Sequence, residues 1–96
     1  MVTADEITDP TQLDLSTRLN GEVVQSSSTD LMINSIPVLI EYISTIFPLN
    51  PGDVIVTGTP GGVGARRTPP LFMHDGDVVE VEISQIGVLR NTVRDE

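Results

Sequence analysis

The sequence predicts a mainly β fold with one helix, an α+β arrangement, in a chain of 96 residues that can hold one domain at most. Two stretches alternate apolar and polar residues with the period of two that is typical of half-buried strands. The first contains an Asn-Gly dipeptide and the second follows an Asp-Gly dipeptide, and both dipeptides favour tight turns. A third stretch, Ser35 to Phe47, instead has the spacing of an amphipathic helix.

The first predicted element is a β-hairpin from Leu13 to Ser28. Its turn is Asn20-Gly21, because a type I′ turn needs a positive φ at both central residues. We interpret Gln25 as a polar residue on a solvated strand face, although its side chain could reach a ligand. A two-residue turn predicts the pairs Leu19–Glu22, Thr17–Val24 and Ser16–Gln25.

The predicted helix follows the hairpin. Asn34 or Ser35 can cap its start, and Pro37 is tolerated in the first turn. Pro48 ends it, because the residue before a proline avoids helical geometry. We expect its apolar face to pack on a sheet, and that face consists of Ile36, Leu39, Ile40, Ile43, Ile46 and Phe47.

The stretch Val54 to Gly64, VIVTGTPGGVG, is the most distinctive part of the chain. Its β-branched start predicts a strand over Asp53 to Thr57, and its glycines predict an irregular loop after it. Thr57 and Thr59 place hydroxyls at the start of this loop. A strand that ends in hydroxyls and bare backbone N–H groups is a common way to hold an anion.

Two strands are predicted after the loop. Val79 to Ile83 alternates apolar and glutamate residues behind the turn at Asp75-Gly76, and Val88 to Arg94 follows a break at Gly87.

Composition excludes several classes of function. The formal net charge of −9 argues against nucleic acid and anionic membrane surfaces as partners. Cysteine is absent, so thiol chemistry and cysteine-based metal sites are excluded. No apolar run approaches the roughly 20 residues of a membrane span. We expect no membrane partner and a cytoplasmic location.

The sequence contains no complete nucleotide-binding motif, and its other candidate chemical residues are interpreted as solvent-exposed. Neither nucleotide-binding glycine pattern is complete around Gly58 to Gly64. Glu80 and Glu82 alternate on one strand and are expected to face solvent. The single histidine, His74, and the pair Arg66 and Arg67 are interpreted as surface residues.

The order of the motifs resembles the C-terminal part of the fumarylacetoacetate hydrolase family catalytic domain. The matching segments are LNGEVVQSSST, a helix ending before PLNPGD, then GDVIVTGTPGGVG, a Pro-Pro pair, and GDVVEVEISQIGVLRNTV. The resemblance implies that residues 1–96 form the C-terminal half of a mixed β-roll and are a partial catalytic domain. It also implies a small 2-oxo acid substrate, and either a homo-oligomer or a complementing N-terminal half.

The same resemblance implies a Mg²⁺ or Mn²⁺ enzyme acting on 2-oxo acids such as acylpyruvates. The metal, a Lewis acid, would stabilise an enolate during C–C hydrolysis, decarboxylation or isomerisation, for example in a 2-hydroxyhepta-2,4-diene-1,7-dioate isomerase-like reaction. Its ligands and the catalytic acid–base groups are not expected in this chain.

The resemblance assigns substrate binding to two residues of the loop. Thr59 matches the threonine that binds the substrate carboxylate, and Gly58 is expected to offer a backbone N–H. Thr59 capping its own turn remains the alternative. For the whole chain, the alternatives are a catalytically inactive structural fragment and a binding module for small carboxylates.

Overall fold

The computed structural model describes residues 1–96 and contains one four-stranded antiparallel sheet and one α-helix. The expectation of a mainly β fold with one helix is confirmed. The strand order is β2-β1-β3-β4. The elements are β1 (Asp14–Leu19), β2 (Glu22–Ser28), α1 (Ile36–Ser44), β3 (Val78–Ile83) and β4 (Gly87–Thr92).

The hairpin of β1 and β2 has the predicted turn, but its register changes after two pairs. Asn20 and Gly21 have φ of 51° and 85°, as a type I′ turn requires. Leu19 pairs with Glu22 as predicted, and Arg18 pairs with Val23. Thr17 then pairs with Gln25, so Val24 is the extra residue of a β-bulge. The predicted pairs of Thr17 with Val24 and of Ser16 with Gln25 are therefore wrong.

The centre of the sheet is the antiparallel pair β1 and β3. Directly opposed residues lie on the same face of a sheet, and successive residues alternate between faces. One face therefore carries the apolar pairs, and the other carries charged and serine side chains. The apolar-face pairs are Leu15–Ile83, Thr17–Val81 and Leu19–Val79.

The helix α1 is shorter than predicted, ending at Ser44 rather than at Phe47. The hydroxyls of Ser44 and Thr45 donate to the carbonyls of Glu41 and Tyr42, at 2.8 and 2.7 Å. Such side-chain bonds compete with helical bonding, and the chain leaves the helix through a tighter turn. No helix in the chain combines the length and apolarity needed to cross a membrane.

The expected packing of α1 on a sheet is not found within this chain. The larger contacts between regular elements all join one strand to another. On the predicted apolar face, Ile40, Ile46 and Phe47 are 44%, 62% and 55% exposed.

Burial is low throughout the chain. Only Leu13 is buried, at 4% exposure. The accessible surface is 7593 Å², whereas a compact monomer of this mass exposes about 5,400 Å². The radius of gyration is 15.7 Å, against about 12.5 Å for a compact chain of this length. The excess of about 2,200 Å² is comparable to one side of a large obligate interface.

The predicted strand over Asp53 to Thr57 is wrong for this chain. These residues belong to no strand, and the backbone groups of Val54 through Thr59 make no hydrogen bond. Val54 and Val56 are 84% and 88% exposed. β-branched residues favour a strand only where a neighbouring strand can pair with them, and these residues pair with no strand of this chain.

Candidate functional site

The glycine-rich loop is attached to β2 by the side chain of Gln25. The Nε2 group of Gln25 donates to Thr59 Oγ1 and to the carbonyl of Pro60, each at 3.1 Å. A third, longer contact reaches the carbonyl of Gly61 at 3.4 Å. One half-buried amide therefore holds three consecutive residues of the loop, and our interpretation of Gln25 as a solvated strand residue was wrong.

Arg67 forms a second attachment between the same two elements. Its Nε donates to the carbonyl of Gly62 at 3.1 Å, and its Nη2 donates to the carbonyl of Val24. Val24 is the bulged residue, so its carbonyl is available to a partner outside the ladder. Arg67 is half-buried rather than a free surface arginine, and it fixes the loop to the bulge.

Gly62 is required where the loop approaches β2. Its φ is +99°, a conformation that residues with a Cβ rarely adopt. A Cβ at this position would also lie 2.6 Å from the carbonyl oxygen of Val24. The close contact of loop and strand therefore depends on a residue without a side chain.

Between the loop and the apolar face of the sheet lies a cavity of about 440 Å³. Most of its wall is apolar, and its polar side chains come from two threonines and a glutamine. This composition is typical of a small-molecule site, in which a few polar groups orient a ligand in apolar surroundings. The lining residues are Thr17, Leu19, Val24, Gln25, Thr59, Gly62, Val63, Gly64, Ala65, Leu71, Phe72, Met73 and Val79.

Thr59 lies in the wall of this cavity, whereas Thr57 does not. The Thr59 hydroxyl accepts from Gln25 and donates to no group of the chain. Gly58 precedes it with φ of +92° and open space where a Cβ would lie, and neither residue's backbone N–H is hydrogen-bonded. One hydroxyl and two N–H donors are therefore available together, and donors of this kind can hold a carboxylate.

The opposite face of the sheet carries an ion-pair network. Arg18 lies 3.3 Å from Glu80 Oε2 and 2.7 Å from Glu82 Oε2, and Arg90 lies 3.8 Å from Glu80. The pKa of Arg18 is raised above its ordinary value, mainly by its hydrogen bond to Glu82 and to a smaller extent by its bond to Glu80. These two carboxylates do not fit a divalent metal, because a guanidinium already occupies the space between them. The chain brings together no group of three histidine, cysteine, aspartate or glutamate side chains that could hold one.

The remaining titratable candidate, His74, is exposed, and its side chain makes no hydrogen bond. Its backbone N–H donates to Asp77 Oδ2 at 2.8 Å, and Asn20 donates to Asp77 Oδ1 at 2.8 Å. Asn20, followed by the His74 backbone, lowers the pKa of Asp77. These bonds connect the hairpin turn to the start of β3, and none of the three residues lines the cavity.

The residues that sequence reasoning missed at the site are Gln25 and Arg67. Gln25 bonds the carbonyl of Pro60 and Arg67 bonds that of Val24, partners distant in sequence that no local spacing reveals. The usable signal was the loop itself, because a glycine-rich loop exposes carbonyls that need donors from elsewhere.

Comparison with known proteins identifies the class to which this fold and loop belong. The family model described as "Fumarylacetoacetate (FAA) hydrolase C-terminal" matches residues 1–94. The chain belongs to this family.

Among curated relatives, the mitochondrial oxaloacetate tautomerase Fahd2a of Rattus norvegicus is 48% identical over 93 residues. The match covers 97% of this chain and 30% of the relative. The chain thus spans about a third of the length of the relatives that it matches.

Solved structures also match nearly the whole chain. A fumarylacetoacetate hydrolase from psychrophilic Exiguobacterium antarcticum superposes with a TM-score of 0.92 at 44% identity, covering 99% of this chain and 34% of that one. Maleylpyruvate hydrolase from Sphingobium sp. SYK-6, in complex with manganese(II) ion and pyruvate, has a TM-score of 0.85 at 36% identity. That match covers 98% of this chain and 33% of the other. Other matching structures are named as isomerases.

Proposed function

We propose that this chain forms the substrate-side wall of a metal-dependent enzyme that acts on small 2-oxo acids. In this proposal, the cavity between the glycine-rich loop and the sheet receives the substrate. Thr59 donates its hydroxyl to the substrate carboxylate, and Gly58 contributes a backbone N–H. The observation that carries the proposal is that Thr59 lines this cavity and that its hydroxyl donates to no group of the chain.

The electrostatics of the site support an acceptor group on the ligand rather than a donor. The cavity wall contains no charged side chain. The Thr59 hydroxyl and the backbone N–H groups of Thr59 and of the preceding Gly58 donate to no group of the chain. Hydrogen bonds to a charged acceptor are stronger than those to a neutral one, so a carboxylate would gain most here. The apolar remainder of the wall suits the carbon chain of an acylpyruvate.

Names of the relatives support the reaction class and leave its branch open. They include oxaloacetate tautomerase, maleylpyruvate hydrolase and 2-hydroxyhepta-2,4-diene-1,7-dioate isomerase. Each name refers to an oxo or hydroxy acid, and one relative was solved with pyruvate. We propose a substrate of the same chemical class for this chain, converted by C–C hydrolysis, decarboxylation or isomerisation.

Metal and partners belong to the same proposal. The maleylpyruvate hydrolase was solved with manganese(II), whereas the carboxylates of this chain do not fit such an ion. We propose that Mg²⁺ or Mn²⁺ would be held by residues outside this chain, in a complementing N-terminal half or a homo-oligomer. The exposed helix face and the backbone of Val54 to Thr59 are the surfaces that such a partner would cover. We retain the cytoplasm as the proposed location, although the curated relative is named as mitochondrial.

A second candidate is a binding module that holds a small carboxylate without converting it. It is favoured by the separation between the carboxylate donors in the cavity and the ion-paired glutamates on the other face. An inert structural fragment would use neither the donors in the cavity nor the glutamates for binding or catalysis. Turnover distinguishes the enzyme from the module, and ligand binding distinguishes the module from the fragment.

The experiment that tests the proposal compares Thr59→Val with Thr57→Val. Both replacements keep the shape and delete a hydroxyl, but the Thr57 hydroxyl makes no hydrogen bond and lies outside the cavity wall. Pyruvate is titrated into each labelled 96-residue variant, and loop resonances are followed by NMR. A hydrogen bond to a charged group contributes about 1.5–3 kcal/mol. Thr59→Val should therefore weaken pyruvate binding by about ten- to hundredfold, and Thr57→Val should change it little.

When the chain is reconstituted with a metal-binding half, Thr59→Val should lower kcat/KM by the same factor of about ten to a hundred, and Thr57→Val should change it little. Metal affinity should not change, because Thr59 is not a ligand. If Thr57→Val loses binding and Thr59→Val keeps it, the assigned hydroxyl is wrong. If both variants bind like the original chain, the loop has only a structural role.

A further inference from the structure

The contacts of Gln25 determine the direction of its hydrogen bond with Thr59. The amide nitrogen lies 3.1 Å from the carbonyl oxygen of Pro60 and 3.4 Å from that of Gly61. Carbonyl oxygens only accept, so the nitrogen end of the amide must face the loop rather than the oxygen end. An amide nitrogen only donates. The Thr59 hydroxyl oxygen, 3.1 Å away, must therefore be the acceptor.

Because Thr59 accepts this hydrogen bond, its own proton is not used in the contact with Gln25. The hydroxyl oxygen is already occupied by one donor, and its own proton is donated to no group of the chain. Thr59 is one of the residues that line the cavity of about 440 Å³. A hydroxyl can otherwise rotate to donate or accept as its partner demands. Here the bond from Gln25 occupies one of the two lone pairs of the oxygen, and the proton has no acceptor within the chain, so donation is the favoured role toward a ligand.

We propose that Gln25 is a positioning residue that makes the Thr59 hydroxyl a hydrogen-bond donor toward the cavity. The site then selects ligands whose nearest group is an acceptor, above all a carboxylate. This inference rests on the proposed function, in which Thr59 binds the substrate carboxylate.

The β-bulge is what brings Gln25 to this side of the sheet. In the regular register Gln25 would oppose Ser16, and it would share the face of Arg18 and the two glutamates. The extra residue at Val24 places Gln25 opposite Thr17 instead. Opposed residues share a face, so a shift of one residue moves Gln25 from the charged face to the cavity face.

Arg67 stabilises this arrangement from the loop side. It donates to the carbonyl of the bulged Val24 and to that of Gly62. The bulge, the loop and the amide of Gln25 are therefore connected, and Gln25 cannot leave the cavity face without disturbing both elements. Val24 and Gln25 are neighbours in sequence, yet both line the cavity, as the bulge allows.

The test is a double-mutant cycle between Gln25→Met and Thr59→Val, with pyruvate as the probe and the full 96-residue chain as the protein. Methionine keeps the length of the side chain and removes the donor. Gln25→Met alone should weaken pyruvate binding by about three- to tenfold, the effect of one neutral hydrogen bond. Added to Thr59→Val, the same substitution should cause no further loss, because no hydroxyl remains to be oriented.

Gln12→Met is the matched control, since Gln12 is exposed and its side chain makes no hydrogen bond. It should bind pyruvate like the original chain. A merely structural role for Gln25 would disturb the loop in both backgrounds, including its backbone N–H groups. Equal loss with and without the Thr59 hydroxyl would therefore overturn the inference, as would unchanged binding in Gln25→Met.

A second measurement needs no ligand and no Gln25 variant. The side-chain amide resonances of Gln25 should shift in Thr59→Val and stay in place in Thr57→Val, and unmoved resonances in Thr59→Val would refute the bond itself. Failure of the proposed function is a separate outcome. Thr59→Val would then bind pyruvate as the original chain does, whatever Gln25→Met does.

Discussion

Replacement of Gly62 by alanine measures how much the close contact of loop and strand contributes to stability. Gly62 combines a φ of +99° with a position where a Cβ would lie 2.6 Å from the carbonyl oxygen of Val24. Two other loop glycines provide graded controls. Gly58 has a φ of +92° with nothing near its Cβ position, and Gly61 has neither a positive φ of this kind nor a close neighbour.

The size of each effect follows from these geometries. A left-handed backbone costs a residue with a Cβ about 1–2 kcal/mol, and this is the whole expected effect of Gly58→Ala. In Gly62→Ala, the Val24 carbonyl must also move away from Arg67, and a hydrogen bond to a charged group contributes about 1.5–3 kcal/mol. The total for Gly62→Ala is about 2.5–5 kcal/mol. Gly61→Ala should be neutral, or slightly stabilising through the unfolded chain.

Thermal unfolding monitored by circular dichroism measures these differences. In a chain of this size, each kcal/mol shifts the Tm by about 4–8 °C. The expected order of Tm is Gly61→Ala highest, then Gly58→Ala, then Gly62→Ala. The side-chain resonances of Arg67 should also change only in Gly62→Ala. A Tm for Gly61→Ala as low as that for Gly62→Ala would refute the argument, because the contact with Val24 could not then be the cause.

Two further predictions concern the chain as a whole. Calorimetric titration with Mg²⁺ or Mn²⁺ should show no tight binding to the 96-residue chain, because Arg18 already pairs with the carboxylates of Glu80 and Glu82. Micromolar binding that is lost in the double variant Glu80→Gln with Glu82→Gln would contradict this prediction. The chain should self-associate or be only marginally stable, because it exposes about 2,200 Å² more surface than a compact monomer. Sedimentation of a monomer, together with a sharp thermal transition well above about 65 °C, would count against that expectation.

The sequence alone located the hairpin, the helix and the two C-terminal strands. The turn at Asn20 and Gly21 could be predicted because its positive φ angles are a property of those two residues. The apolar and charged faces of β1 and β3 could be predicted because alternation along a strand is fixed by backbone geometry. Each of these features depends on residues a few positions apart.

Pairing across the chain decided the remaining features. Val54 to Val56 has the composition of a strand, yet it forms none here, because a strand needs a partner that local preference cannot supply. The hairpin register could not be predicted beyond Arg18, because the turn fixes only the first pairs.

Thr59 could be proposed as a binding residue from the loop sequence and its resemblance to a family. The partners of its loop, Gln25 and Arg67, could not, because a single bulged residue decides which face Gln25 occupies. The sequence thus determined the elements and the binding loop through local backbone preferences. Tertiary structure decided how the loop is held, because those hydrogen bonds join carbonyls and side chains that are distant along the chain.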